Sequence, residues 1–142
     1  MSDDVVFIMV GVTSKQKKNL PKGVIGICHT ENVSELVDLY SLADVFVNPT
    51  YQDTLPTVSI EALACGTPVV SYDTGGSADI VDEKTGALVK RGDRDSLLSS
   101  ITNVKKHGKI LYKDACREKS LNAFNNKECF YKYLELYNEF LK

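Results

Sequence analysis

The chain has 142 residues, 43% hydrophobic and 25% charged, with a formal net charge of −2 and no Trp. That length leaves room for one domain. The slight acidity gives no bulk attraction to nucleic acid or to an anionic membrane surface, and no apolar run approaches the about 18 residues of a membrane helix. There is no signal-peptide pattern, internal repeat or low-complexity segment. Cys28, Cys65, Cys116 and Cys129 form no Cys-x-x-Cys pair and sit in apolar or helical settings. They read as reduced structural thiols of a cytosolic protein, not as a zinc site or a disulfide framework.

In chain order, Val5 to Val12 is a continuous apolar run, which predicts a strand buried on both faces. Ser14 to Lys22 carries four lysines and Pro21 and reads as a solvated connection, with phosphate steering as the lesser alternative. Gly23 to Cys28 is a second short strand, and His29 follows it as a loop residue or a site group. Glu31 to Ala43 has the helical spacing of Val33, Leu36, Val37 and Tyr40, with Thr30 or Asn32 as cap.

Val45-Phe46-Val47 is a third strand. A polar loop from Asn48 to Thr54 leads into a helix that begins at Leu55 or Pro56 and ends at Gly66. Pro56 suits a first helical turn, Asp53 or Thr54 can cap it, and Gly66 suits the residue past its end. The helix is otherwise apolar, so Glu61 in its middle needs a polar partner. That partner is either a neighbouring loop, which makes Glu61 structural, or a ligand. Pro68 to Tyr72 is a fourth strand and runs into Gly75-Gly76. A strand, helix, strand unit of this size is a parallel crossover, and ligands of such sheets sit beyond the carboxyl ends of the strands.

Ala78 to Val81 is one helical turn, Asp82 to Thr85 a turn, and Gly86 to Val89 the last strand. Asp93 to Lys106 is a helix capped by Asp93 or Asp95, with Leu97, Leu98, Ile101 and Val104 as its buried face and Gly108 as its stop. Ile110 to Phe124 and Lys127 to Leu141 are two more helices. They either pack on the domain or leave the aromatic residues Phe130, Tyr131, Tyr133, Tyr137 and Phe140 as an uncovered surface.

One stretch resembles the signature of the family-4 retaining glycosyltransferases, enzymes of the two-domain GT-B architecture. Asp53, seven residues, Glu61, the run ALACGTPVV and then Gly75-Gly76-Ser77-Ala78-Asp79 reproduce an acidic residue, seven residues, Glu, Ala-x-Ala-Cys-Gly-x-Pro-Val-Val and Gly-Gly-x-x-Glu. The likeness extends more weakly from about Val5 to Lys90. There are three departures. Asp53 and Asp79 stand where Glu is usual and reach one methylene less, and Pro56 stands where many members have Gly, which removes a backbone donor.

The resemblance implies an α/β fold with a Rossmann-like three-layer parallel sheet. This would be the C-terminal, donor-binding half of a GT-B fold, lacking its first β-α unit and followed by C-terminal helices. It implies that Glu61 binds the ribose of a nucleotide sugar and Asp53 the sugar hydroxyls. Backbone amides near Thr54, Leu55 and Thr57 would face the sugar or diphosphate, and Gly75 and Gly76 would permit close approach. It implies no metal and no cofactor beyond the UDP-, GDP- or similar sugar donor. The acceptor would be a glycan or a lipid-linked group, in bacterial capsule, exopolysaccharide or lipopolysaccharide synthesis. The place would be the cytoplasm or the inner face of the cell membrane. The amino-terminal acceptor domain would be missing, leaving this piece inactive alone and inclined to self-associate. The alternative is a non-catalytic nucleotide-binding α/β module with a degenerate site.

Overall fold

The structure is a computed structural model that describes residues 5–141. Its strands and helices alternate, and all strand pairs are parallel, as the α/β expectation requires. The strands form two sheets, one ordered β1-β2 and one ordered β3-β4-β5. The chain divides into two compact units, one up to Leu39 and one from Tyr40 on.

In the first unit β1 (Phe7–Val10) pairs with β2 (Val24–Ile27), with Phe7 opposite Val24 and Val10 opposite Ile27. The run predicted to be buried on both faces is not. Ile8 and Met9 are each 48% exposed, and Val10 and Ile25 are exposed as well. The cause is the width of the sheet: a two-stranded ribbon leaves most of both faces to be covered from elsewhere. Close cover lies at Gly26, where a Cβ would come 2.5 Å from Leu20 Cδ1 and 3.0 Å from Val12 Cγ2.

The segment read as a lysine-rich connection contains a short helix, α1 (Ser14–Lys18). A capping box makes it. Thr13 Oγ1 accepts from the Gln16 amide at 3.2 Å, and Gln16 Oε1 accepts from the Thr13 amide at 2.8 Å, so two otherwise unpaired donors are satisfied reciprocally. Helix α2 (Val33–Leu42) starts in the same manner. Asn32 Oδ1 accepts from the Glu35 amide, and Glu35 Oε2 accepts from the Glu31 amide.

The second unit is built on β3 (Phe46–Asn48), β4 (Val69–Tyr72) and β5 (Gly86–Val89). β4 is central, and all four of its residues are buried. Gly86 opens β5 with φ +152°, and a Cβ there would meet the Val69 carbonyl oxygen at 1.8 Å. A larger residue would push the two strands apart. Helix α3 (Thr57–Ala64) buries Ser59, Ala62 and Leu63, and α4 (Ser77–Ile80) buries Ser77 and Ile80. Together with Val69, Val70, Tyr72 and Val81 these residues form the core.

Helix α5 (Arg94–His107) is capped by Asp93, whose Oδ1 accepts from the Ser96 amide at 3.0 Å. That amide, then the Ser96 hydroxyl, hold the Asp93 carboxyl below the usual carboxylate range. Gly108 ends the helix with φ +82°. Of the face expected to be buried, Val104 is buried and Leu97 and Ile101 are half-buried. Leu98 is 57% exposed, because it stands about 100° round the helix from Leu97 and so leaves the core side. After a 3-10 turn, Lys109–Leu111, helix α6 (Lys113–Ala123) packs on α3 and buries Cys116 and Ser120. Burial pushes the Cys116 thiol up to about 12. Helix α7 (Asn126–Phe140) buries none of its residues, and Phe130, Tyr133, Tyr137 and Phe140 are all exposed. The two C-terminal helices therefore differ, one packed and one uncovered.

Candidate functional site

Because β3, β4 and β5 are parallel, their carboxyl ends at Asn48, Tyr72 and Val89 lie on one rim of the sheet. The three loops that follow converge on an open cleft of about 770 Å³. The first loop contributes Tyr51, Gln52, Asp53 and Thr54. The second contributes Asp73, Thr74, Gly75 and Gly76, with Asp79 from α4. The third contributes Arg91. This is the crevice beyond the strand ends where open parallel sheets take ligands.

Hydrogen bonds onto main-chain carbonyls fasten β3 and the first loop to β4 and the second loop. The Gly76 amide donates to the Thr54 carbonyl at 3.0 Å. Thr74 Oγ1 donates to the Thr50 carbonyl at 3.2 Å, and Ser71 Oγ to the Asn48 carbonyl at 2.9 Å. A Cβ on Gly75 (φ +50°) would lie 1.7 Å from the Asp53 carbonyl oxygen, and one on Gly76 would lie 2.5 Å from the Thr54 carbonyl oxygen. The close approach expected of this glycine pair is therefore made by the Asp53–Thr54 backbone. Two of the loop's amides are already committed, Gly76 to Thr54 and Ser77 to the Thr74 carbonyl at 3.1 Å.

The third loop is held at both ends. Its Asp93 amide donates to the Lys90 carbonyl at 3.0 Å, and Asp93 caps α5. Gly92 has φ +82°, and a Cβ there would sit 3.5 Å from Tyr51 Oη. Tyr51 in turn meets Tyr72 edge-to-face at 5.6 Å between centroids, a favoured aromatic geometry.

Of the residues singled out in the sequence, Asp53, Thr54, Gly75, Gly76 and Asp79 line the cleft, and Leu55, Thr57 and Glu61 do not. Pro56 takes the N-cap position of α3, and no side chain caps that helix. Asp53 and Thr54 therefore do not have the capping role expected of them, since proline offers no side-chain acceptor and displaces the cap by two residues. Thr57 opens the helix and is exposed. Leu55 is exposed too, with its Cδ1 3.3 Å from where a Gly76 Cβ would stand.

Glu61 is exposed and not embedded in an apolar helix. It lies about 200° round the helix from both Ser59 and Leu63, the centre of the buried side. Its polar partner is Tyr40, which donates to Oε2 at 3.1 Å. Burial first, and then the Glu61 charge and this hydrogen bond, push the Tyr40 hydroxyl above the ordinary tyrosine range. Tyr40 is itself fixed. Its ring meets Phe46 at 5.3 Å, and its carbonyl accepts from Thr67 Oγ1 at 2.5 Å and Lys109 Nζ at 3.3 Å. The Lys109 ammonium also takes the carbonyls of Ser41 and Ala43, where helix α2 ends and its dipole favours a cation.

Tyr51, Gln52, Asp73, Thr74 and Arg91 belong to the cleft but to no motif. The one available signal was positional: Asp73 follows the last residue of β4 directly, and Arg91 comes two residues after β5. Among the described residues, no group of three His, Cys, Asp or Glu side chains is placed to hold a metal ion.

The model of the family described as Glycosyl transferases group 1 matches residues 1–107. The capsular polysaccharide biosynthesis glycosyltransferase CapM of Staphylococcus aureus is 29% identical over 121 residues, which is 79% of this chain and 30% of that protein. Among solved structures, the sucrose-phosphate synthase of Thermosynechococcus elongatus superposes with a TM-score of 0.76 at 31% identity, over 89% of this chain and 32% of that one. HepE of Anabaena, crystallised with UDP-glucose, superposes with a TM-score of 0.69 at 17% identity, over 96% of this chain and 42% of that one. The chain thus spans about a third of the length of CapM and of the synthase. A strand, loop, helix signature whose loops meet at one cleft accords with the family match over three quarters of the chain: this protein belongs to the glycosyl transferases group 1 family.

Proposed function

We propose that the cleft holds the donor of a retaining hexosyl transfer, a nucleotide sugar. The observation that carries this reading is the meeting of Asp53 and the glycine pair at the carboxyl end of β4, on the rim where such sheets take nucleotides. In this reading the Asp53 carboxylate accepts hydrogen bonds from sugar hydroxyls. Glu61, aimed by Tyr40, accepts from the ribose diol on the outer side of α3. The amides of Thr54, Leu55 and Thr57 stand around the start of α3, where negative charge is favoured.

For an enzyme of its relatives' length, the reaction we propose breaks the bond from the sugar's anomeric carbon to the diphosphate oxygen. It forms the bond to an acceptor hydroxyl on the same face, and the acceptor proton passes to the leaving phosphate. Asp53 and Glu61 then bind and orient, and neither acts as the acid or base of a glycosidase pair. HepE's UDP-glucose complex supports a nucleotide-sugar ligand, and the part of CapM in capsular polysaccharide biosynthesis supports a glycan acceptor in a bacterial capsule. A second reading, nucleotide binding without turnover, is favoured by the shorter reach of Asp53 and Asp79 and by the committed amides of Gly76 and Ser77.

Calorimetric titration with UDP, GDP, ADP and their glucose conjugates tests the proposal. One nucleotide family should bind clearly better than the rest. Glu61→Gln should weaken nucleotide and nucleotide sugar alike, by roughly 1.5–3 kcal/mol for a hydrogen bond to a charged group. Asp53→Asn should weaken the sugar conjugate more than the bare nucleotide. Equal losses for both ligands with Asp53→Asn would remove Asp53 from the sugar, and no binding of any nucleotide would remove the reading altogether.

A further inference from the structure

We infer that Arg91 is the group that takes the donor's oxyanion in this cleft, an inference that rests on the nucleotide-sugar reading above. Among the described residues, the cleft's charged lining is three carboxylates, Asp53, Asp73 and Asp79, and a single cation, Arg91. Carboxylates repel the phosphate or carboxylate groups of a sugar nucleotide, so an anion needs donors that outweigh them. The glycine loop supplies fewer than its sequence promises, because the amides of Gly76 and Ser77 already donate to Thr54 and Thr74. Pro56 removes another donor at the start of α3.

Arg91 is uncommitted. It forms no ion pair and no hydrogen bond among the described residues, although it shares the cleft with three carboxylates. Its position is nevertheless fixed. β5 precedes it, the turn from Lys90 to Asp93 closes behind it, and Asp93 is tied to α5. An immobilised backbone carrying a free guanidinium suits bidentate capture of phosphate or carboxylate oxygens, and part of the ordering cost is met before the ligand arrives. The oxyanion can be the diphosphate or the carboxylate of a uronic acid sugar; the recognition chemistry is the same.

The test is isothermal titration of this chain and its Arg91→Gln and Arg91→Lys variants at low salt. The ligands are uridine, guanosine and adenosine, their diphosphates, UDP-glucose and UDP-glucuronate. Arg91→Gln should weaken the preferred diphosphate about ten- to hundredfold, the span of one charged hydrogen bond, and leave the parent nucleoside unchanged. Arg91→Lys should retain part of the affinity. Equal losses for UDP, UDP-glucose and UDP-glucuronate place the oxyanion in the diphosphate, and a loss confined to UDP-glucuronate places it on the sugar. Because Arg91 is exposed and unpaired, melting temperatures should stay unchanged. Wild-type affinity of Arg91→Gln for every one of these ligands, or equal loss of nucleoside and nucleotide, would overturn the inference and leave the donor reading standing. A wild-type chain that binds no nucleotide would overturn both.

Discussion

Two runs of nearly the same character, VVFIMVGV at Val5 to Val12 and PVVSY at Pro68 to Tyr72, end in opposite environments. The second becomes β4, paired on both edges, with every residue buried. The first becomes β1, paired on one edge, with Ile8, Met9 and Val10 open to solvent. Apolar composition states what a strand is able to bury. The number of neighbours decides what it does bury, and β4 has two strands and the helices α3 and α5 against it. The same lesson separates α6, which sets Cys116 and Ser120 into the unit, from α7, which sets nothing.

The contrast can be measured. Leu63→Ala, in the fully buried face of α3, should cost about 2–5 kcal/mol in denaturant unfolding. A value under 1 kcal/mol would mean that the second unit is looser than its packing. Next in size is the Lys119–Asp82 ion pair, with Nζ to Oδ2 at 2.5 Å. Burial raises the Asp82 carboxyl, but the Lys119 hydrogen bond, the Lys84 amide and the Lys119 charge together hold it below its usual value. A lowered carboxyl contributes stability above its unfolded pKa and loses it as pH falls through the folded one. Asp82→Asn should therefore destabilise at pH 7 and be neutral near pH 2. Nearly half of the Asp82 side chain is exposed, so the effect is about 0.5 kcal/mol after solvent screening. A gap that persists unchanged in acid would assign the cost to the turn instead. Smallest of all, Ile8→Ala on β1 should change stability by no more than about 0.5 kcal/mol in this chain. A loss near that of Leu63→Ala would show that the ribbon is covered in solution.

Much of this was legible in the residues. Turn chemistry marked Asp82 to Thr85, Asp93 and Gly108 as punctuation, and the structure uses all three in that way. The helix from Thr57 to Ala64 and its flanking strands followed from apolar runs bounded by Pro56 and Gly66. Helix α1 was hidden because its stability lies in a capping pair, Thr13 with Gln16, and it has no apolar stripe to read. The exposure of Glu61 was hidden because an apolar helix does not announce which of its sides is solvent-facing; only the partners of Ser59 and Leu63 decide that. Within the cleft, Asp53 and the glycine pair carried a spacing signal, whereas Arg91 and Asp73 acquire meaning only when three loops of different origin meet.

The fastening of the Asp53–Thr54 backbone to Gly75 and Gly76 has an evolutionary corollary. The first loop's share of this wall is held through its main-chain carbonyls and by the lack of two side chains opposite them. Side chains of the first loop can then be exchanged without loosening the wall that carries them. Ligand choice can drift by single substitutions at Gln52, Asp53 or Thr54 while the geometry is inherited intact. The glycines, which bring no side chain to the chemistry, are the positions where change would be least forgiven.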